Sequence, residues 1–251
     1  MSPAATVSND VDGDGNKKAK IHKVVPHEEW VQARKELLEA EKEFSKKKAE
    51  LAQKRRDMPW EEVKEDYEFE MTGGKVVKLS ELCQGEDGTV IIQHFMFKGG
   101  DNGCHLCSFF LDGFNSIYPH LKPRANFCAV ALASPEDLEK VGKKKGWNFQ
   151  MVSARKNTFQ KDYGVNWGQD DVDSGSALYN YGKQQWKFGT MAPGISVFKK
   201  ADGKVYHTYS TYAAGLADLN ATFALLDITP TGRSETGGSN NMWWVKQKEN
   251  Y

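Results

Sequence analysis

The nine residues from Thr89 to Phe97, Thr-Val-Ile-Ile-Gln-His-Phe-Met-Phe, form a nearly unbroken apolar run rich in β-branched and aromatic side chains. Such a run has no polar face to give to water, so it predicts a central strand buried on both faces of a sheet. A Gly-containing loop, Lys98 to Gly103, follows it, and then Cys104-His105-Leu106-Cys107. From Cys104 to about Leu121 the pattern is helical, with Leu106, Phe109, Phe110, Phe114 and Ile117 as its apolar positions. A buried strand, a tight loop and a helix opening on two cysteines constrain everything else in the chain.

The flanking segments repeat the alternation. Tyr67 and Phe69 alternate with acids, and Thr72-Gly73-Gly74 leads into Lys75 to Leu82, which reads as a β-hairpin followed by a short helical turn. Phe127 to Ala133 is another apolar strand, and Ser134 and Pro135 suit the cap and first position of a helix running to about Lys145. Trp147 to Val152 reads as a further strand. Residues 155–189, with Asp170, Asp171 and Asp173 among several Gly, Tyr and Trp, read as an insertion that is partly loop. Pro193 to Phe198 and Lys204 to Tyr209, joined at Ala201-Asp202-Gly203, make a hairpin, and Ala213 to Leu226 a last helix. Alternating strands and helices predict an α/β fold with helices on both faces of the sheet, and the late hairpin makes that sheet mixed.

Two segments stand apart from residues 61–233, which hold this domain. Residues 1–20 have almost no bulky apolar side chain and are expected to be disordered. Residues 21–60 read as one long helix, from about Pro26 to Asp57, stopped by Pro59 with Trp60 anchoring the turn. Within it Trp30, Leu37, Phe44 and Leu51 recur every seven residues, a narrow apolar seam. A rod of roughly 45 Å is expected to strap over its own domain or to make a homodimer contact. The tail, residues 234–251, carries Met242-Trp243-Trp244-Val245 and is expected to dock by its Trp residues.

Acidic and basic residues number 34 each, so no net field draws the chain to nucleic acid or an anionic membrane. There is no apolar run long enough to span a bilayer, and the first residues lack the basic start and apolar stretch of a secretory signal. The expected location is cytoplasmic. Four cysteines in such a chain are no disulfide framework, and a C-x-x-C there is redox-active or metal-binding.

A redox dithiol needs two sulfurs that can bond without moving the backbone, and two intervening residues on a first helical turn provide that. The first cysteine then lies where unpaired N–H groups and the helix dipole favour a thiolate, the nucleophile of disulfide exchange. Cys104 is therefore the expected attacking thiol and Cys107 the resolving one. His105, between them, could stabilise the thiolate as a cation. A closed structural zinc site would need four ligands, and Cys83 and Cys128 stand isolated. An open copper, zinc or iron site built from Cys104 and Cys107 with His94, His105 or His207 is the alternative.

Several longer stretches carry a resemblance. They are the Trp30 helix with Ala33-Arg34-Lys35, Met58-Pro59-Trp60, His94-Phe95-Met96-Phe97, Gly103-Cys104-x-x-Cys107-Ser108-Phe109 and Asp112-Gly113-Phe114-Asn115. Further ones are Pro193 to Phe198, His207 to Tyr212 and Leu226-Asp227-x-Thr229-Pro230-x-Gly232-Arg233. Through them residues 22–251 resemble an uncharacterised thioredoxin-like family, number 899 of the domain-of-unknown-function series. The resemblance implies a thioredoxin-like fold. It also implies that Pro193 takes the place of the superfamily's cis-proline, which begins the strand facing the dithiol and presents backbone to a bound peptide. A wider similarity runs to peroxiredoxins, in Lys75 to Leu82 and Asp162-Tyr163-Gly164-Val165. Peroxiredoxins place Thr three residues before the peroxidatic Cys, whereas here Asp101 holds that position, so peroxide reduction of that type is not expected.

Three readings follow: a thiol–disulfide oxidoreductase acting on a protein or small-molecule disulfide without a cofactor, a metal-dependent enzyme or metal carrier, and a non-catalytic binding protein using the long helix.

Overall fold

The computed structural model describes residues 22–233 and 242–251, so the stretch expected to be disordered and part of the tail lie outside the described residues. The chain divides after Asp57 into two units. The first holds α1 (His27–Arg56), in which none of the residues is buried. It begins directly after Pro26, carries Glu28 and Glu29 in its first turn and Lys54, Arg55 and Arg56 in its last, and so complements the helix dipole at both ends. Trp30, Leu37, Phe44 and Leu51 are all exposed along it.

The second unit, Met58–Tyr251, is built on an eight-stranded sheet. Its strands are β1 (Glu61–Glu62), β2 (Glu68–Glu70), β3 (Val76–Lys78), β4 (Thr89–His94), β5 (Asn126–Ala131), β6 (Gln150–Ser153), β9 (Gly194–Ala201) and β10 (Lys204–Tyr212), in the order β1-β10-β9-β4-β5-β6-β2-β3. A separate small hairpin, β7 (Leu178–Tyr179) and β8 (Gln184–Gln185), lies in the insertion. β4 pairs parallel with β5 and antiparallel with β9, and β9 pairs antiparallel with β10. With α3 (His105–Leu121) after β4 and α4 (Pro135–Lys145) after β5, this is a thioredoxin-like mixed sheet.

Alternation along β4 sorts the core into two layers. Val90 and Ile92 pack with Cys128, Val130, Phe159 and Phe198, beside α2 (Leu79–Leu82) and α5 (Phe159–Asp162). Ile91 and Phe95 pack on the other face, with Leu111 and Phe114 of α3 and Leu138 and Val141 of α4. Each large apolar side chain withdrawn from water contributes about 1.5–3 kcal/mol, and both layers converge on β4. The ends of α4 follow from its sequence. Ser134 Oγ accepts from the Asp137 N–H at 3.1 Å, Pro135 takes the first turn, and Gly146 closes it at φ 67°.

Some expected elements shift. The central strand stops at His94, because the chain turns away to form the loop before Cys104. β6 starts at Gln150 rather than Trp147, and β10 runs on to Tyr212. The expected last helix is two pieces, a 3-10 turn over Ala213–Leu219 and α7 (Ala221–Asp227). Asn220 divides them, since its side chain accepts from the Thr222 N–H at 2.9 Å and caps a new helix. The insertion also contains α6 (Gln169–Ser174).

Candidate active site

The loop from Phe95 to Gly103 carries the chain from the end of β4 to the start of α3. Phe95 and Phe97 stay in the core and stack on each other at 5.3 Å. Gly103 lies in the left-handed region at φ 66°, and a Cβ there would come within 2.4 Å of the Phe95 ring, so this position takes glycine. The outer loop is pinned by side chains: Lys98 Nζ donates to Thr190 Oγ1 at 2.7 Å, Lys140 to Asp101 at 2.9 Å, and Lys144 to Asn102 at 2.7 Å.

Cys104 is the N-cap of α3 rather than its first helical residue. Its Sγ accepts from the Cys107 N–H at 3.5 Å, and its own N–H donates to the Met96 carbonyl at 3.3 Å. It is half-buried, Cys107 is buried, and both are free thiols. The Cys107 thiol donates to Cys104 and is the main reason that Cys104 is held down at about 6. The backbone N–H groups of Cys107 and Leu106 and a charge on His105 add to this, while burial opposes it. Cys107 is pushed the other way, well above the usual thiol range, by the same hydrogen bond and by burial. The pair thus joins one thiol drawn toward ionising and one that keeps its proton. Burial pushes Cys83 up to about 11, and Cys128 higher still, so neither shares this poise.

The other candidate residues divide. His105 is exposed on the first turn of α3, beside the thiols. Pro193 precedes β9, whose Gly194 pairs with His94. Its peptide bond is trans, which corrects the expected cis-proline. The segment is held extended, because the Ala192 N–H donates to the Val165 carbonyl and the Tyr179 hydroxyl donates to the Pro193 carbonyl at 2.5 Å. The proposed metal set does not assemble. His94 points to the sheet face opposite α3, where its Nε2 lies 2.9 Å from Ser196 Oγ. Ser196 Oγ lies 2.8 Å from Ser210 Oγ, and Ser210 Oγ lies 2.7 Å from His207 Nε2. His207 Nδ1 faces Glu61 at 3.3 Å. Among the described residues no three His, Cys, Asp or Glu side chains are grouped to hold a metal ion. Strand alternation explains the outcome: His94 and Gln93 must face opposite ways, and Gln93 takes the dithiol side, with its Nε2 donating to the Cys107 carbonyl at 3.3 Å.

The sequence does not single out Gln93, Ser196, Lys145 or Gln247 as site residues. A signal existed for Gln93 and Ser196, since each is a polar residue set in an apolar strand. Lys145 and Gln247 gave none. The Lys145 side chain is fully buried, and its Nζ donates to Gln247 at 2.6 Å and Glu249 at 2.8 Å. Gln247 Nε2 in turn donates to the Gly103 carbonyl at 3.4 Å, next to Cys104. Trp244 packs edge-on to Phe109 of α3 at 5.7 Å, while Trp243 stays exposed.

The family model of bacterial proteins of unknown function, DUF899, matches residues 19–251. The chain belongs to this family. No protein of curated function matches it significantly. Similar solved structures include a Cys→Ser mutant of Xanthomonas campestris peroxiredoxin Q, 15% identical over 68% of this chain and 98% of that one, with a TM-score of 0.47. Another is the peroxidoxin BcpB of Mycobacterium tuberculosis, 16% identical over 67% of this chain and 97% of that one, with a TM-score of 0.45. No helix among the described residues of this DUF899 chain is long and apolar enough to cross a membrane.

Proposed function

We propose that this protein is a thiol–disulfide oxidoreductase that works through Cys104 and Cys107. The observation that carries the reading is the asymmetry of the pair: Cys104 is held at about 6 and half-exposed at a helix start, whereas Cys107 is buried and protonated. The Cys104 thiolate attacks one sulfur of a disulfide, forming a mixed disulfide and expelling the other sulfur as a thiolate. Cys107 then gives up its proton, attacks Cys104 Sγ, and releases the second substrate thiol. The substrate gains two electrons and the protein holds a Cys104–Cys107 disulfide, which an external thiol must reduce to complete the cycle. In this reading His105 favours the thiolate, and the trans Pro193 segment contacts the substrate.

The test is equilibration in graded thiol redox buffers, rapid alkylation, and mass spectrometry of Cys104 and Cys107. A two-electron titration within the range of cytosolic dithiols is the expected result. Two thiols that stay reduced across that range would exclude the exchange mechanism.

A further inference from the structure

We propose that a second cleft, formed by β1, β10, Asp162-Tyr163-Gly164 and the β7–β8 turn, binds a small organic ammonium ion independently of the dithiol. The cleft has a volume of about 250 Å³, and Tyr163, Tyr181, Tyr212, His207, Glu61 and Asp162 line it. No lysine or arginine among the described residues does so.

Several carboxylates elsewhere in the molecule are paired with cations. Glu70 meets Arg155 and Lys156, Asp112 meets Lys248, and Asp227 meets Arg233. Asp162 is instead fixed by neutral donors, the Tyr67 hydroxyl at 2.8 Å and the Thr158 hydroxyl at 2.5 Å. Glu61 has His207 beside it and no fixed cation. Neutral donors orient a carboxylate without cancelling its charge, and no lysine or arginine among the described lining residues offsets the charge of Asp162 and Glu61.

The walls suit the apolar part of such an ion. Tyr181 is 67% exposed and yet held in place, its hydroxyl donating to the Ser210 carbonyl at 3.1 Å and its ring 5.4 Å from that of Tyr212. It sits at φ 57°, directly after Asn180 at φ 53°, a conformation uncommon for a bulky residue. The Tyr163 ring stands edge-on to His207 at 5.1 Å. His207 is itself fixed, since Ser210, Ser196 and the buried His94 anchor its Nε2 and leave Nδ1 toward Glu61. Aromatic faces attract ammonium groups through the ring quadrupole, and two carboxylates complete the recognition. A hard metal ion would need six or so oxygen ligands, and the aromatic walls do not offer them.

The probe is choline, compared with its neutral carbon isostere 3,3-dimethylbutan-1-ol, titrated calorimetrically at low salt into the full chain. Choline is expected to bind at least about tenfold more tightly than the isostere. Glu61→Gln and Tyr181→Ala should each weaken it by about fivefold or more, while Tyr181→Phe, which keeps the ring, should retain it. Cys104→Ser should bind choline as the unmodified protein does, whether or not the dithiol proves to be redox-active. The proposal is overturned by equal binding of choline and isostere, by no binding of choline, by no effect of Glu61→Gln and Tyr181→Ala, or by loss of binding in Cys104→Ser.

Discussion

β4 ends in two polar side chains that face opposite ways, and the molecule treats them differently. On the α3 side, Gln93 supports the Cys107 carbonyl, and the groups around Cys104 are N–H donors and a thiol proton. They stabilise negative charge, and Cys104 is held at about 6 although it is half-buried. On the other side, His94 meets a serine hydroxyl and stacks against Phe159 and Tyr163, at 5.5 and 6.4 Å. Nothing there stabilises an added positive charge, so burial, helped by the charge of His207, pushes His94 down to about 3. Its Nδ1 has no hydrogen-bond partner. Cys104 is half-buried and His94 wholly buried, yet one is drawn into ionising and the other is prevented from it. The chemistry of the donors nearby, more than depth, sets the charge state.

The largest effect that would break this comparison is chemical. Cys104→Ser should abolish disulfide exchange. Cys107→Ser should still attack but accumulate the mixed disulfide, a species that mass spectrometry resolves. If Cys107→Ser attacks no faster than Cys104→Ser, the assigned asymmetry is wrong.

The next effect is on rate. Iodoacetamide modification of Cys104 should rise with pH around a midpoint of about 6. At neutral pH it should outpace Cys83, held at about 11, by roughly two orders of magnitude, since the larger thiolate fraction outweighs the lower nucleophilicity of the more acidic thiol. A Cys104 midpoint near 9 would mean that the helix start does not stabilise the thiolate.

The histidine side is read out as stability. An imidazole that stays neutral when folded but takes a proton at about 6.5 when unfolded makes the unfolded state bind more protons, so stability falls as pH drops from 6.5 toward 3. Between pH 7 and pH 4 this amounts to on the order of 3 kcal/mol. His94→Gln should flatten that part of the urea-unfolding pH profile without moving the Cys104 alkylation midpoint. An unchanged slope would show that His94 is not the group held neutral.

Gly103→Ala should destabilise by about 2 kcal/mol, because the left-handed backbone and the Phe95 ring both oppose a Cβ. The smallest effect is expected for Glu249→Gln, about 1 kcal/mol, because Gln247 continues to accept from Lys145. Both are measured by urea unfolding.

How much of this could be read in advance followed from periodicity. The run at Thr89–His94, the Ser134-Pro135 start of α4 and the Cys104 junction announce themselves within a few residues, because local pattern and local structure coincide there. The boundary at Asn220 was missed because one side chain capping one N–H outweighs a helical pattern that continues through it. His94 and His207 looked like partners of the cysteines by residue type alone. The pairing of β4 with β9 and of β9 with β10 sends them to the other face, and register between distant strands is not written in any short window. Lys145 was legible only as one of three lysines at a helix end, since what buries it lies 104 residues downstream.

That separation has a consequence for how the protein is made. The Gly103 carbonyl, beside Cys104, meets Gln247 across 144 residues of chain. A ribosome adding roughly 5–20 residues per second finishes the β4–α3 junction well before the segment that braces it has been synthesised. For roughly five to thirty seconds Phe109 lacks the Trp244 ring, and Lys145, once made, has neither Gln247 nor Glu249. A nascent chain would therefore display its two cysteines in a looser setting than the finished protein, open to oxidation or to a chaperone during synthesis.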